Sequence, residues 1–181
     1  MASTSSDTEE QHNGVWLWGP YSGFGALIAA LTMALDQAHK WWMLGPYDII
    51  TKCQVAITPF LDLVFKKNTG ISYSLLDAAS FRWQMVLSAF AVAASVGMWV
   101  WMARLGASRL MAGSLGLIIG GALGNAVDRI RIGGVADFFS LHAFGFYWYV
   151  FNIADVAIVA GVIGLLYDSW RLSRNDAAKP L

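Results

Sequence analysis

Long apolar stretches separated by short polar segments dominate the pattern of the chain. Four of them approach or exceed the about 20 residues that a helix needs to cross a bilayer. They lie at about 21–44, 83–103, 110–127 and 150–170. Trp16, Trp18 and Tyr21 stand at the start of the first stretch, and such aromatic residues favour the membrane interface. The pattern therefore predicts four transmembrane helices.

The segments between these helices differ in character. Residues 45–80 hold no run long enough to span, but 55–65 is rich in β-branched and aromatic residues and is followed by the turn sequence Asn68-Thr69-Gly70. We expect a small β element there, with Asn68 forming the turn. Gly133-Gly134 should end the third helix and open a loop, whose aromatic residues suit the headgroup level.

The expected fold is an all-α membrane protein with four transmembrane helices and a small extracytoplasmic β element at about 45–80. Residues 16–172 should form one domain, between a disordered polar tail at 1–15 and a second cytoplasmic tail at 173–181. A hydrophobic content of 57% with 13% charged residues supports the membrane class, and a formal net charge of zero argues against a nucleic-acid partner. Glycines at 116, 120 and 124 share one helix face and indicate close helix packing.

Polar residues cluster at the mouths of the last two apolar stretches, where an ionisable group must be paired, hydrogen-bonded or hydrated. They are Asn125, Asp128, Arg129, Asp137, Asn152 and Asp155. Two carboxylates that share a proton can hydrolyse a peptide bond, because the ionised one activates water while the protonated one polarises the carbonyl. Asp155, three residues after Asn152 at the mouth of the fourth helix, is one candidate.

The second carboxylate has two candidates. Asp128 lies beside Arg129, and a neighbouring cation lowers a carboxylate pKa, which suits a structural anion better than a shared proton. Asp137 has no adjacent cation in sequence, so it is mildly favoured, although sequence neighbours need not be spatial ones. An ion pathway or a non-catalytic membrane subunit would also fit intramembrane acids. The three histidines show no metal-ligand spacing, and no serine or cysteine nucleophile signature is present.

Five motifs carry a resemblance to a known family. They are Asp-Gln-x-x-Lys at 36–40, Asn-Thr-Gly at 68–70, Gly-Asn-x-x-Asp-Arg at 124–129, Val-x-Asp-Phe at 135–138 and Phe-Asn-x-Ala-Asp at 151–155. In this order they resemble the lipoprotein signal peptidases, the type II signal peptidases of bacterial inner membranes. The likeness covers about 21–170 and departs from the family at Ile71-Ser72-Tyr73, where small residues and an aromatic are usual.

The resemblance implies a function and a set of residue roles. The enzyme would cleave diacylglyceryl-modified prolipoproteins on the amino side of the lipidated cysteine, next to membrane lipids, without metal or cofactor, and globomycin would block it. Asp137 and Asp155 match the catalytic pair. Other positions match supporting or structural residues: Asn68, Asn125, Arg129 and Asn152 support the site, and Asp36, Lys40 and Asp128 are structural.

Orientation in the membrane does not follow from the charges. With both termini in the cytoplasm, five Lys and Arg residues fall on the cytoplasmic side and seven on the other, against the usual excess of cations inside. The expectation that the site faces the periplasm therefore rests on the resemblance.

Overall fold

The computed structural model describes residues 17–70, 80–105 and 108–177. Its elements are α1 (Ser22–Leu44), α2 (Ile49–Lys52), β1 (Gln54–Thr58), β2 (Leu61–Asn68), α3 (Phe81–Leu105), α4 (Arg109–Ile132), β3 (Val135–Ala143), β4 (Phe146–Phe151) and α5 (Ile153–Ala177). The four long helices expected from the apolar stretches are all present as helices. The predicted N-terminal tail, the departure at 71–73 and residues 178–181 of the second tail lie outside the described residues.

Three helices among the described residues, α3, α4 and α5, are long and apolar enough to cross a membrane. Helix α1 has sufficient length at 23 residues, but Asp36, Gln37 and Lys40 make its second half polar. The fourth span thus stays a prediction.

Helix α4 is the centre of the helical part. Gly116 and Gly120 on one face meet Gly25 and Ala29 of α1 so closely that an added Cβ would collide with their carbonyl oxygens. Residues later in α4 contact residues later in α1, so the two helices run parallel. The predicted packing role of the glycine stripe is confirmed, and the close approach brings Gly124 against Asp36.

The chain after Gly134 is not the loop that the sequence suggested. It forms β3 and β4, which complete an antiparallel sheet in the order β1-β2-β3-β4. Pairing with β2 and β4 satisfies the backbone groups of β3, which an irregular buried segment could not do. The sheet is therefore built from two distant parts of the chain and is larger than predicted.

Several helix boundaries also differ from expectation, and α5 in particular continues to Ala177, into the tail predicted at 173–181. Helix α4 continues past residue 127 to Ile132, so Asp128 and Arg129 lie within its last turns, and Gly133 ends it in the left-handed conformation at φ 68°. Helix α5 begins at Ile153 rather than Val150, because Val150 pairs with Ser140 in the sheet.

A buried cluster of Met43, Ile49, Ala136 and Phe138 joins β3 to α1 and α2. Successive side chains of a strand point to opposite faces. Asp137, between two members of the cluster, therefore points away from it toward the ends of α4 and α5.

Candidate active site

Asp137 lies on β3 with 1% of its surface exposed. Asn68 Nδ2 donates to its Oδ2 at 3.0 Å, and Asn152 Nδ2 donates to its Oδ1 at 2.7 Å. Burial raises the pKa of Asp137 from 3.8 to about 6, against the lowering effect of the two amide donors, and the charge of Asp155 adds to the rise. This carboxyl group therefore keeps its proton to a higher pH than an ordinary aspartic acid does, up to about pH 6.

Asp155 lies in the first turn of α5 and is half-buried. Its backbone N–H donates to Asn152 Oδ1 at 3.0 Å, and the backbone N–H of Asn152 donates to Asp155 Oδ2 at 3.1 Å. This reciprocal pair is a capping box, which satisfies backbone donors at the helix start. The spacing of three residues between Asn152 and Asp155 thus places them in contact, and helix geometry itself holds the Asp155 carboxylate.

Two amides join the acids into one network. Asn125 Nδ2 donates to Asp155 Oδ1 at 2.9 Å, while Asn152 Nδ2 reaches both Asp137 Oδ1 and Asn125 Oδ1, the latter at 3.2 Å. Every carboxylate oxygen of the pair therefore accepts a hydrogen bond from an amide side chain or a backbone N–H. The fold brings Asp137 and Asp155 to the same place, as the dyad hypothesis requires.

Asp128 lies in a different cluster. Lys40 Nζ is 2.7 Å from Asp128 Oδ2 and 2.8 Å from Asp36 Oδ2, and all three side chains are nearly inaccessible. Asp36 and Lys40, one helical turn apart in the 36–40 motif, thus form an ion pair. Asp128 makes its close ion pair with Lys40 of another helix, and it also interacts electrostatically with its sequence neighbour Arg129.

Arg129 supplies positive charge at the edge of the amide network. It interacts electrostatically with Asp155, Asp128 and Asp137, and its Nη1 donates to the Asn125 carbonyl oxygen at 3.3 Å. Its buried Nε has no hydrogen-bond partner among the described residues. The guanidinium group therefore has a buried N–H donor that no described residue uses.

A cavity of about 140 Å³ gives access to Asp137. It is lined by Lys66, Lys67, Asn68, Thr69, Gly70, Tyr149 and Val150. Asn68 forms the expected turn, with its Oδ1 accepting from the Gly70 N–H at 2.9 Å, and uses its amide nitrogen on Asp137 at the same time. The turn and the site thus share one side chain.

Sequence reasoning gave no role to Gln37. Its Nε2 donates to Asp128 Oδ1 at 2.9 Å and to the Gly124 carbonyl oxygen at 3.1 Å, which ties α1 to α4 beside the site. The signal was an amide side chain next to Asp36 in an apolar helix, where an unsatisfied polar group is costly. Nothing comparable in the sequence marks Lys66 and Tyr149 as residues that line the cavity at Asp137.

The fold and the site together define a helical membrane protein in which a strand and a helix N-terminus each contribute one of two linked carboxylates. A model of the family described as signal peptidase (SPase) II matches residues 28–171. The chain therefore belongs to the signal peptidase II family, which makes it a membrane-embedded peptidase.

Individual relatives agree with this assignment. A lipoprotein signal peptidase of Methylocella silvestris is 54% identical over 145 residues, covering 80% of this chain and 84% of the relative. One of Beijerinckia indica is 49% identical, covering 86% and 93%. A solved structure of a bacterial membrane enzyme superimposes with a TM-score of 0.68 at 26% identity, covering 88% of this chain and 94% of that one.

Proposed function

We propose that the chain is an aspartic endopeptidase that removes the signal peptide from diacylglyceryl-modified bacterial prolipoproteins, cutting on the amino side of the lipidated cysteine. Family membership and relatives that carry the name lipoprotein signal peptidase support the substrate class. The observation that carries the catalytic type is the shared amide network of Asp137 and Asp155, in which one acid is buried and the other is half-exposed.

The different environments of the two acids suggest their roles. Asp137, with a pKa raised to about 6, is the better holder of the proton of the pair, while Asp155 at a helix N-terminus is the better carboxylate. In this mechanism Asp155 takes a proton from water as the water oxygen attacks the scissile carbonyl carbon. Asp137 gives its proton to the carbonyl oxygen.

Breakdown of the tetrahedral diol reverses these transfers. Asp137 recovers a proton from one hydroxyl as the carbonyl re-forms, the carbon–nitrogen bond breaks, and Asp155 gives its proton to the leaving cysteine nitrogen. Asn68, Asn125 and Asn152 would hold the two carboxylates, and the Arg129 guanidinium would stabilise negative charge on the substrate oxygen. No residue in this scheme needs a metal or cofactor.

Four transmembrane helices in a single domain at 16–172 are part of the proposal. Helix α1 runs beside α4, and its large side chains at one face are 41–64% exposed: Phe24, Leu27, Leu31 and Leu35. Exposed apolar stripes of this size are costly in water and are satisfied by lipid. Helix α1 would therefore cross the same bilayer as its parallel neighbour.

We place the site on the periplasmic side of the inner membrane, with lipid chains and the signal helix approaching from the bilayer. Globomycin would bind between the two acids.

In a background where Cys53 is replaced by Ser, a cysteine at Thr69 should react with an impermeant thiol reagent in intact cells, and one at Arg174 should be protected. The reverse labelling pattern would place the site in the cytoplasm and contradict the proposal.

The decisive experiment is cleavage of a lipidated prolipoprotein by the purified protein in detergent, followed by gel shift. Asp137→Asn and Asp155→Asn should each abolish product while the protein stays folded, because each removes one of the two roles. Asp62→Asn is the matched control, since Asp62 is also buried in the same sheet but bonds to His142 and Gln54. Activity above a few per cent in either dyad variant would refute the assignment.

A further inference from the structure

Two buried acids hold the backbone immediately before the two proposed catalytic residues. Asp128 Oδ2 accepts from the Ala136 N–H at 3.1 Å, and Asp36 Oδ1 accepts from the Ala154 N–H at 3.0 Å. Ala136 precedes Asp137, and Ala154 precedes Asp155. Each proposed catalytic residue therefore follows a backbone N–H that is hydrogen-bonded to a buried acid. That acid is Asp128 of α4 for Asp137 and Asp36 of α1 for Asp155.

Lys40 ties these two acids together. Its ammonium group lies 2.8 Å from Asp36 Oδ2 and 2.7 Å from Asp128 Oδ2, and 4% of its side chain is exposed. In Asp36, one carboxylate oxygen contacts Lys40 and the other accepts the backbone hydrogen bond. In Asp128, Oδ2 makes both the contact with Lys40 and the backbone hydrogen bond. The Lys40 ammonium group therefore links β3, which carries Asp137, to α5, which carries Asp155, through the two buried acids.

The same ammonium group orients an amide of the site. Lys40 Nζ donates to Asn125 Oδ1 at 3.1 Å, and Asn152 Nδ2 donates to the same oxygen at 3.2 Å. A lysine ammonium can only donate, so the oxygen of Asn125 must face it. The Asn125 NH₂ group is thereby directed to Asp155 Oδ1. Without Lys40 the amide could rotate and present its oxygen to the Asp155 carboxylate.

We propose that Lys40 is a positioning residue for the reaction: it fixes the orientation of Asn125 against Asp155 and joins the two acids that hold the backbone ahead of the catalytic pair. The proposal rests on the catalytic roles proposed above. Lys40 acts through other residues and does not touch substrate, because its side chain is buried. Its loss should therefore lower kcat and leave KM nearly unchanged.

A cavity reaches Lys40 from a side that shares no lining residue with the cavity at Asp137. It has a volume of about 260 Å³ and is bordered by Gln37, Trp41, Asp128 and Arg131. A small amine can therefore enter the space left by a truncated lysine without crossing the substrate cavity.

The test compares two variants with the wild type by cleavage kinetics and thermal midpoint in detergent. Lys40→Met alone would leave two buried carboxylates without their cation, so the main variant is the double substitution Asp36→Asn/Lys40→Met. It keeps the net charge of the cluster. The amide oxygen introduced at position 36 can still accept from the Ala154 N–H. We expect kcat to fall by about 10²-fold with KM within about threefold, the size typical of misplaced catalytic groups. Lys52→Met, at an exposed lysine of α2, is the control and should be unchanged.

Chemical rescue supplies a readout that a purely structural role would not move. In Lys40→Ala, propylammonium should restore turnover, and neutral propanol at the same concentration should not. A folded double variant with kcat within about threefold of wild type would overturn the proposal. So would an amine that restores the thermal midpoint of Lys40→Ala without restoring turnover. Activity in Asp137→Asn or Asp155→Asn would instead refute the proposed function itself.

Discussion

Replacing the buried acid Asp137 by Asn should make the protein more stable at neutral and alkaline pH while abolishing activity. The pKa of this group rises from 3.8 to about 6 on folding, so the folded state binds its proton more tightly than the unfolded state does. Wild-type stability then falls as pH rises from about 4 to about 6, and remains lowered above that range. A neutral amide removes this loss.

The structure sets the size of the effect. The rise in pKa corresponds to about 3 kcal/mol, at about 1.4 kcal/mol per pH unit. Asn offers only one acceptor oxygen to the two amide donors, Asn68 and Asn152, so a hydrogen bond worth about 1 kcal/mol is lost. A net gain of about 2 kcal/mol remains above about pH 7, which raises the thermal midpoint of a chain this long by about 4–8 °C.

The assay is the thermal midpoint of wild type and Asp137→Asn in detergent across about pH 4.5 to 8, a range that brackets the pKa of the buried acid. The gain should shrink with falling pH and vanish near the acid end, where the wild-type carboxyl is already protonated. Asp128→Asn is the control: it breaks a buried pair with Lys40 and should destabilise at every pH. A variant Asp137→Asn that is less stable than wild type at about pH 8 would refute the argument that burial penalises this charge.

Further predictions concern the reaction and the packing. The rate of cleavage should follow a bell-shaped pH profile, falling on the alkaline side as Asp137 loses its proton in the field of Asp155, Lys40 and Arg129. A profile that is flat across about pH 5 to 8 would contradict a shared proton. Chelators should leave the rate unchanged, as measured by the same gel shift with and without them; inhibition by a chelator would contradict a metal-free dyad. Gly120→Leu should lower the thermal midpoint strongly, because its side chain would meet the Ala29 carbonyl and Thr32 of α1, whereas Gly97→Leu, with open space around it, should be tolerated.

The helices were predictable because their signals are local. Apolar length, the small residues at 116, 120 and 124, and the stop at Gly133 each depend on residues close together in the chain. The capping box of Asn152 and Asp155 is equally local, since its two members stand three residues apart.

The sheet and the ion cluster could not be predicted in the same way. Residues 135–138 are buried on both faces of β3, so they lack the alternation that marks a half-buried strand. Asn68 meets Asp137 across 69 residues, and Lys40 meets Asn125 across 85. Asp128 pairs with Lys40 because α1 packs closely against α4. That packing does not depend on sequence proximity.

The two-part sheet fixes the order in which activity can appear during synthesis. Strand β2 emerges early, but its neighbour β3 follows only after α3 and α4, and Asp155 lies beyond both. Pairing between distant segments must wait until the later one exists. A nascent chain that stops before α5 can contain the whole sheet but lacks Asp155, so under the proposed mechanism a ribosome-bound intermediate in the membrane cannot cleave precursors until the last helix has been made.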